Sequence, residues 1–155
     1  HLRQALIGDR RVSIEQADGF AGLKALLPPP TRRALVLIDP SYEEKGDYER
    51  VVKALKDGLQ RFPTGVFMLW YPQLTRREAH DLPTRLARVP RGNWLQVGLR
   101  VCTPAPDGFG MYGSGVMLVN PPWTLAATLR ETLPFLVQTL ALDNGASFTL
   151  ASSDG

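Results

Sequence analysis

An α/β fold is what this chain predicts: a helix-covered sheet, mostly parallel, that ends in an antiparallel hairpin. Three observations point there. Short aliphatic runs alternate with amphipathic stretches of helical period. The run Ala34 to Ile38 is apolar without alternation, as in a strand buried on both faces of a parallel sheet. Trp94 to Cys102 and Val116 to Val119 are strand-like segments whose Pro/Gly-rich connection leaves no room for a crossover helix, so they pair antiparallel. At 155 residues and 44% hydrophobic composition the chain can bury one substantial core, and a single domain is expected.

Taken in order, Val12 to Ala17 reads as the first strand, and Gly19 to Leu27 as a short helix stopped by Pro28-Pro29-Pro30. Ala34 to Ile38 is the next strand, expected near the centre of the sheet. Asp47 to Phe62 puts Tyr48, Val51, Val52, Leu55 and Leu59 on one helical stripe. Gly65 to Trp70 then reads as a strand, and Thr75 to Ala87 as a helix interrupted near Pro83. After the hairpin come a helix at Leu125 to Leu140, which contains Pro134, and a strand at Ser147 to Leu150. Gly108, Gly110 and Gly113 spell Gly-x-Gly-x-x-Gly, but a Pro-rich loop precedes them and a strand follows. Phosphate binding needs a helix N-terminus directly after such glycines, so they read as the hairpin loop.

Composition excludes several classes. A lone Cys102 forms no internal disulfide, and no Cys/His cluster offers a metal site, so a cytoplasmic setting is the default. No apolar stretch approaches the roughly 20 residues that cross a bilayer, so no membrane association is expected. The net charge of +3, from 18 basic and 15 acidic residues, points only weakly to a polyanionic partner. Arg76, Arg77, Arg85, Arg88 and Arg91 read first as a solvated helix face.

Chemistry concentrates at Asp39-Pro40-Ser41-Tyr42, directly after the aliphatic strand. A carboxylate and the following main-chain carbonyl accept hydrogen bonds from an exocyclic amine, and an aromatic ring stacks on a planar base. A strand ending in a proline turn is the plainer reading of the same residues. Asp18-Gly19-Phe20 follows the first predicted strand, where Asp18 can accept from an adenine amine and Phe20 can cover the ring; a helix N-cap and a core contact are the plainer roles. A second small-polar, proline, aromatic sequence stands at Asn120-Pro121-Pro122-Trp123. Ligands of open α/β sheets bind beyond the carboxyl ends of central strands. The Asp39 sequence is therefore assigned the chemistry, and the Asn120 sequence a substrate-lining role together with Ser41.

A parallel sheet ending in an antiparallel hairpin is similar to a Rossmann-like methyltransferase domain. More specifically, Asp39-Pro40-Ser41-Tyr42-Glu43, Lys45, Asp47-Tyr48, Leu69-Trp70-Tyr71-Pro72, and Gly113-Ser114-Gly115 leading to Asn120-Pro121-Pro122-Trp123 resemble the bacterial 23S rRNA adenine-N6 methyltransferase J family, formerly described as proteins involved in catabolism of external DNA. The similarity runs across nearly the whole chain in the same order.

The resemblance implies methyl transfer from S-adenosylmethionine to the N6 amine of an adenosine in 23S ribosomal RNA. Asp39 and the Pro40 carbonyl would hold the amine, Tyr42 would stack on the flipped adenine, and Asp18, Gly19 and Phe20 would sit beside the cofactor's adenine. Ser41 departs from the second proline usual in that motif. Such domains open with a strand and a glycine-rich cofactor turn, whereas this chain starts at a point resembling the third strand. Residues 1–155 are therefore expected to be the C-terminal part of one catalytic domain, binding cofactor poorly and turning over little by themselves, as a monomer. DNA adenine-N6 methylation and non-catalytic nucleic-acid binding are the rival readings.

Overall fold

A computed structural model describes residues 1–153 of the chain. A short helix α1 (Leu2–Ala5) and α2 (Gly19–Leu26) precede β1 (Leu35–Ile38); α3 (Lys45–Arg61) leads to β2 (Val66–Gln73) and α4 (Arg77–Ala87) to β3 (Trp94–Arg100). β4 (Gly113–Val119), α5 (Leu125–Leu140) and β5 (Ser147–Ser152) complete the order. The five strands form one mixed sheet in the order β1-β2-β4-β3-β5.

Three expectations are corrected here. Val12 to Ala17 forms no strand; it joins no strand of the sheet, and most of its residues are exposed. Only β1 and β2 run parallel, and the β2–β4, β4–β3 and β3–β5 pairs are antiparallel, so the sheet is not mostly parallel. β1 is also an edge strand and not a central one. These outcomes share a cause: a strand exists only where a neighbouring backbone accepts its hydrogen bonds, and no described residue pairs with the outer side of β1.

The sheet's first face carries the core. Side chains alternate along a strand, so Phe67, Leu69 and Tyr71 of β2 lie beside Met117 and Val119 of β4, and all five are buried. α3 covers this face because Tyr48, Val51 and Leu55 recur at helical spacing and are buried together. Gly58 lets it approach: a β-carbon there would stand 2.7 Å from the Phe67 ring. α4 continues the cover with Leu82 and Leu86, and Pro83 lies inside it without interrupting it. The Pro83 carbonyl accepts a hydrogen bond from Gln96 Nε2 at 3.0 Å, which ties α4 to β3.

The second face is covered unevenly. α5 packs against β3 and β5, and Leu95 and Leu118 are buried on that side. At β1, Leu35 is 62% and Leu37 59% exposed, which is why their aliphatic run reads as a doubly buried strand in sequence but is not one here. Among the described residues no helix is long and apolar enough to cross a membrane.

Candidate active site

Asp39, Pro40 and Ser41 leave the carboxyl end of β1 and line an open cleft of about 670 Å³. Asp18, Gly19 and Phe20, at the N-terminus of α2, line the same cleft, as do Asp47 and Arg50 of α3. The tertiary fold thus brings two of the three sequence motifs to one place. The Asp39 carboxylate makes no hydrogen bond or ion pair with another described residue, which leaves its oxygens free to accept from a ligand.

Asp18 has both of the roles open to it in sequence. It is the N-cap of α2, accepting from the Phe20 amide at 2.8 Å and the Ala21 amide at 3.3 Å, which fixes its side chain against the helix start. Its other oxygen receives Arg50 Nη2 at 2.7 Å. Arg50 also reaches Asp47 at 3.3 Å and lies over the Phe20 ring, 4.4 Å from its centroid. Asp47 is the one charged residue in the buried core, and this guanidinium is its partner.

Sequence reasoning missed Arg50. The Asp47–Arg50 spacing on α3 was a legible helical pair, but nothing in the chain places Arg50 beside Asp18, because α2 and α3 meet only by packing.

Tyr42 does not line the cleft in this structure. The residue adopts a left-handed backbone, φ 57°, which turns its ring inward. The ring packs at 5.0 Å from Tyr48 and 6.0 Å from Trp70, only 2% of the residue is exposed, and the hydroxyl donates to the Trp70 carbonyl at 2.7 Å. Burial above all, followed by the nearby Tyr48, Asp39 and Asp47, pushes the phenol far above its ordinary range. The ring therefore fastens the motif loop to β2 and does not line the cleft.

Asn120, Pro121, Pro122 and Trp123 do not line it either. β4 runs against β2, so Val119 pairs with Phe67 and Asn120 emerges at the end where β1 and β2 begin; Asp39 emerges where β1 stops. Asn120, with φ 55°, donates from Nδ2 to the Pro63 and Gly65 carbonyls, both at 2.8 Å. That is a clamp on the turn entering β2. Pro121 is half-buried, Pro122 is exposed and Trp123 is 93% exposed.

For a sulfonium nucleoside cofactor the residues present fit: a fixed carboxylate and an aromatic ring beside an unpaired Asp39, in one cleft of sufficient size.

Comparison with known proteins agrees with the reading of the motifs. The family model described as "Ribosomal RNA large subunit methyltransferase D, RlmJ" matches residues 1–150. A protein of Haemophilus influenzae named ribosomal RNA large subunit methyltransferase J is 41% identical over 149 residues, covering 96% of this chain and 53% of that protein. Its namesake in Escherichia coli is 44% identical over 140 residues, covering 87% of this chain and 48% of that protein. A crystal structure of a Legionella pneumophila protein superposes with a TM-score of 0.78 at 30% identity, over 88% of this chain and 49% of that one. The chain spans about half the length of these relatives. Matched over residues 1–150 by the family model and at 41% and 44% identity by these relatives, this chain belongs to the ribosomal RNA large subunit methyltransferase D, RlmJ, family.

Proposed function

We propose that the intact protein methylates the N6 amine of an adenosine in 23S ribosomal RNA, with S-adenosylmethionine as donor. The observation that carries this is the shared cleft: Asp39-Pro40-Ser41 and Asp18-Gly19-Phe20, about twenty positions apart in the chain, converge beyond the end of β1. The names of the two relatives favour ribosomal RNA over DNA as the polymer.

In this reading Asp39 and the Pro40 carbonyl accept hydrogen bonds from the amine and turn its lone pair toward the donor. Bound, the cofactor supplies an electrophilic methyl carbon whose sulfur leaves with the bonding pair. Asp39 is placed to receive the proton that the amine releases. Ser41 lines the approach to the amine. Asp18 accepts from the cofactor's adenine amine while Phe20 lies against its ring, with Gly19 keeping the helix start open. Tyr42 acts as a positioning residue through the Trp70 carbonyl. The chain by itself is expected to bind cofactor weakly, because its cleft is open toward Leu37 at the unpaired β1 edge.

The test is methyl transfer by the intact protein from labelled cofactor to unmodified 23S ribosomal RNA and to duplex DNA. Wild type should label the RNA on adenosine N6, and Asp39→Ala should lose transfer while melting as wild type does. Labelling of DNA alone would replace the substrate assigned here. RNA binding without any transfer by wild type would favour a non-catalytic role, and near wild-type transfer by Asp39→Ala would remove the carboxylate from the mechanism.

A further inference from the structure

A second polar trough lies on the first face of the sheet, at the same end as Asp39. It is formed where β2, β4, β3 and β5 run side by side: Tyr71, Gly115, Gly98 and Thr149 stand in one cross-strand row, and Gln73, Gly113, Arg100 and Ser147 in the next. Gly98 lies in its floor, whereas Gly115 lies under the Tyr71 ring. A β-carbon at Gly98 would stand 2.7 Å from both Gln73 Nε2 and Thr149 Oγ1, and one at Gly115 would collide with the Tyr71 ring. The resulting space is about 220 Å³, walled by α4 at His80 and Pro83.

Its chemistry is specific. Arg100 stacks its guanidinium 5.1 Å from the centroid of Tyr112 and forms no ion pair among the described residues, so its N–H fork is available to an anion. Tyr71 is 3% exposed, yet its hydroxyl makes no hydrogen bond to another described residue. Burial raises that phenol above its ordinary value of 10, so at neutral pH it remains a donor. Gln73 adds a carboxamide, and no Asp or Glu lines the trough. Aromatic and guanidinium planes beside neutral hydrogen-bonding groups are how proteins take unpaired bases, whereas a duplex presents no free base edge or face to them.

We propose that this trough holds one unpaired nucleotide of the RNA strand near the target adenosine, its base over Gly98 against the Tyr71 hydroxyl and Gln73, and its phosphate on Arg100. The assignment rests on the ribosomal RNA reading above and adds where the strand runs. Spacing between strands of roughly 4.8 Å puts Gly98 on β3, three strands from β1, on the order of 15 Å away, within reach of a nucleotide a few positions along the strand.

The experiment uses the intact protein with unmodified 23S ribosomal RNA. Arg100→Gln should weaken RNA binding about tenfold at moderate salt and make its salt dependence shallower by about one counterion. Tyr71→Phe should weaken it by a smaller factor. Both should bind S-adenosylhomocysteine as wild type does. A transcript substituted with 4-thiouridine should cross-link to peptides carrying Tyr71, Tyr112 or Phe148. RNA affinity equal to wild type in both variants, or cross-links confined to other surfaces, would overturn the proposal. Should Arg100→Gln fail to fold, Tyr71→Phe and the cross-link decide. If Asp39→Ala is inactive but the trough shows neither effect, only the trough is wrong; if Asp39→Ala remains active, the active-site reading fails while the cross-link still tests the trough.

Discussion

Arg50 holds Asp18 across the mouth of the cleft, its Nη2 2.7 Å from the carboxylate, and so ties the N-terminus of α2 to the first turns of α3. Both side chains are about half exposed, and a pair of that kind contributes little to global stability. Its consequence is local, because the same guanidinium neutralises Asp47 and covers Phe20.

Arg50→Gln in the intact protein is therefore expected to lower the melting temperature, because buried Asp47 loses its charged partner, and to weaken cofactor binding. Losing the ion pair and the cation–ring contact removes about 1 kcal/mol, roughly a fivefold loss of affinity. Calorimetric titration with S-adenosylhomocysteine measures it. An unchanged dissociation constant would show that Arg50 organises the cleft without serving the cofactor.

Tyr42→Phe keeps the buried ring and deletes one hydrogen bond, leaving the Trp70 carbonyl without its phenol donor. The expected loss is about 1 kcal/mol of stability, with a modest fall in turnover as the motif loop loosens. Tyr42→Ala also opens a cavity between Tyr48 and Trp70 and should lose about 3–5 kcal/mol. Chemical denaturation of the two variants separates these effects. A base-stacking Tyr42 would instead give an Ala variant of wild-type stability with impaired activity.

Asn120→Ala removes the donor to two carbonyls and places alanine in a left-handed backbone, so about 2 kcal/mol of stability should be lost. The Michaelis constant for RNA should not move, because Asn120 lies at the far end of the sheet from Asp39. A raised Michaelis constant at wild-type stability would return this segment to the substrate.

Alkaline pH should destabilise the fold. Burial raises the Tyr42, Tyr48 and Tyr71 phenols above their ordinary value of 10, so the folded chain holds these protons more tightly than the unfolded chain. Their contribution is complete below pH 10 and is lost progressively above it. Denaturant midpoints measured from neutral pH upward should fall beyond that point, and less steeply in Tyr71→Phe. A flat profile would mean that these hydroxyls are not buried.

Much of the architecture was legible in the chain because periodicity reports which face of an element is dry. The stripe Tyr48, Val51, Leu55 marks α3, the Pro/Gly-rich loop after Trp94 to Cys102 marks the antiparallel turn, and Asp39-Pro40 marks a strand end. Periodicity cannot say which backbones find partners, so Val12 to Ala17 read as a strand and β1 as a central one. Nor can it give direction: two similar motifs, at Asp39 and Asn120, follow strands that run opposite ways and end on opposite sides of the sheet. Residue types and their spacing by themselves determined the family and most of the elements from Gly19 onward. The tertiary structure alone decided that Asp18 and Asp39 share a cleft, that Tyr42 is turned inward and that Arg50 joins two helices, because hydrogen-bond pairing and side-chain packing act between segments distant in the chain.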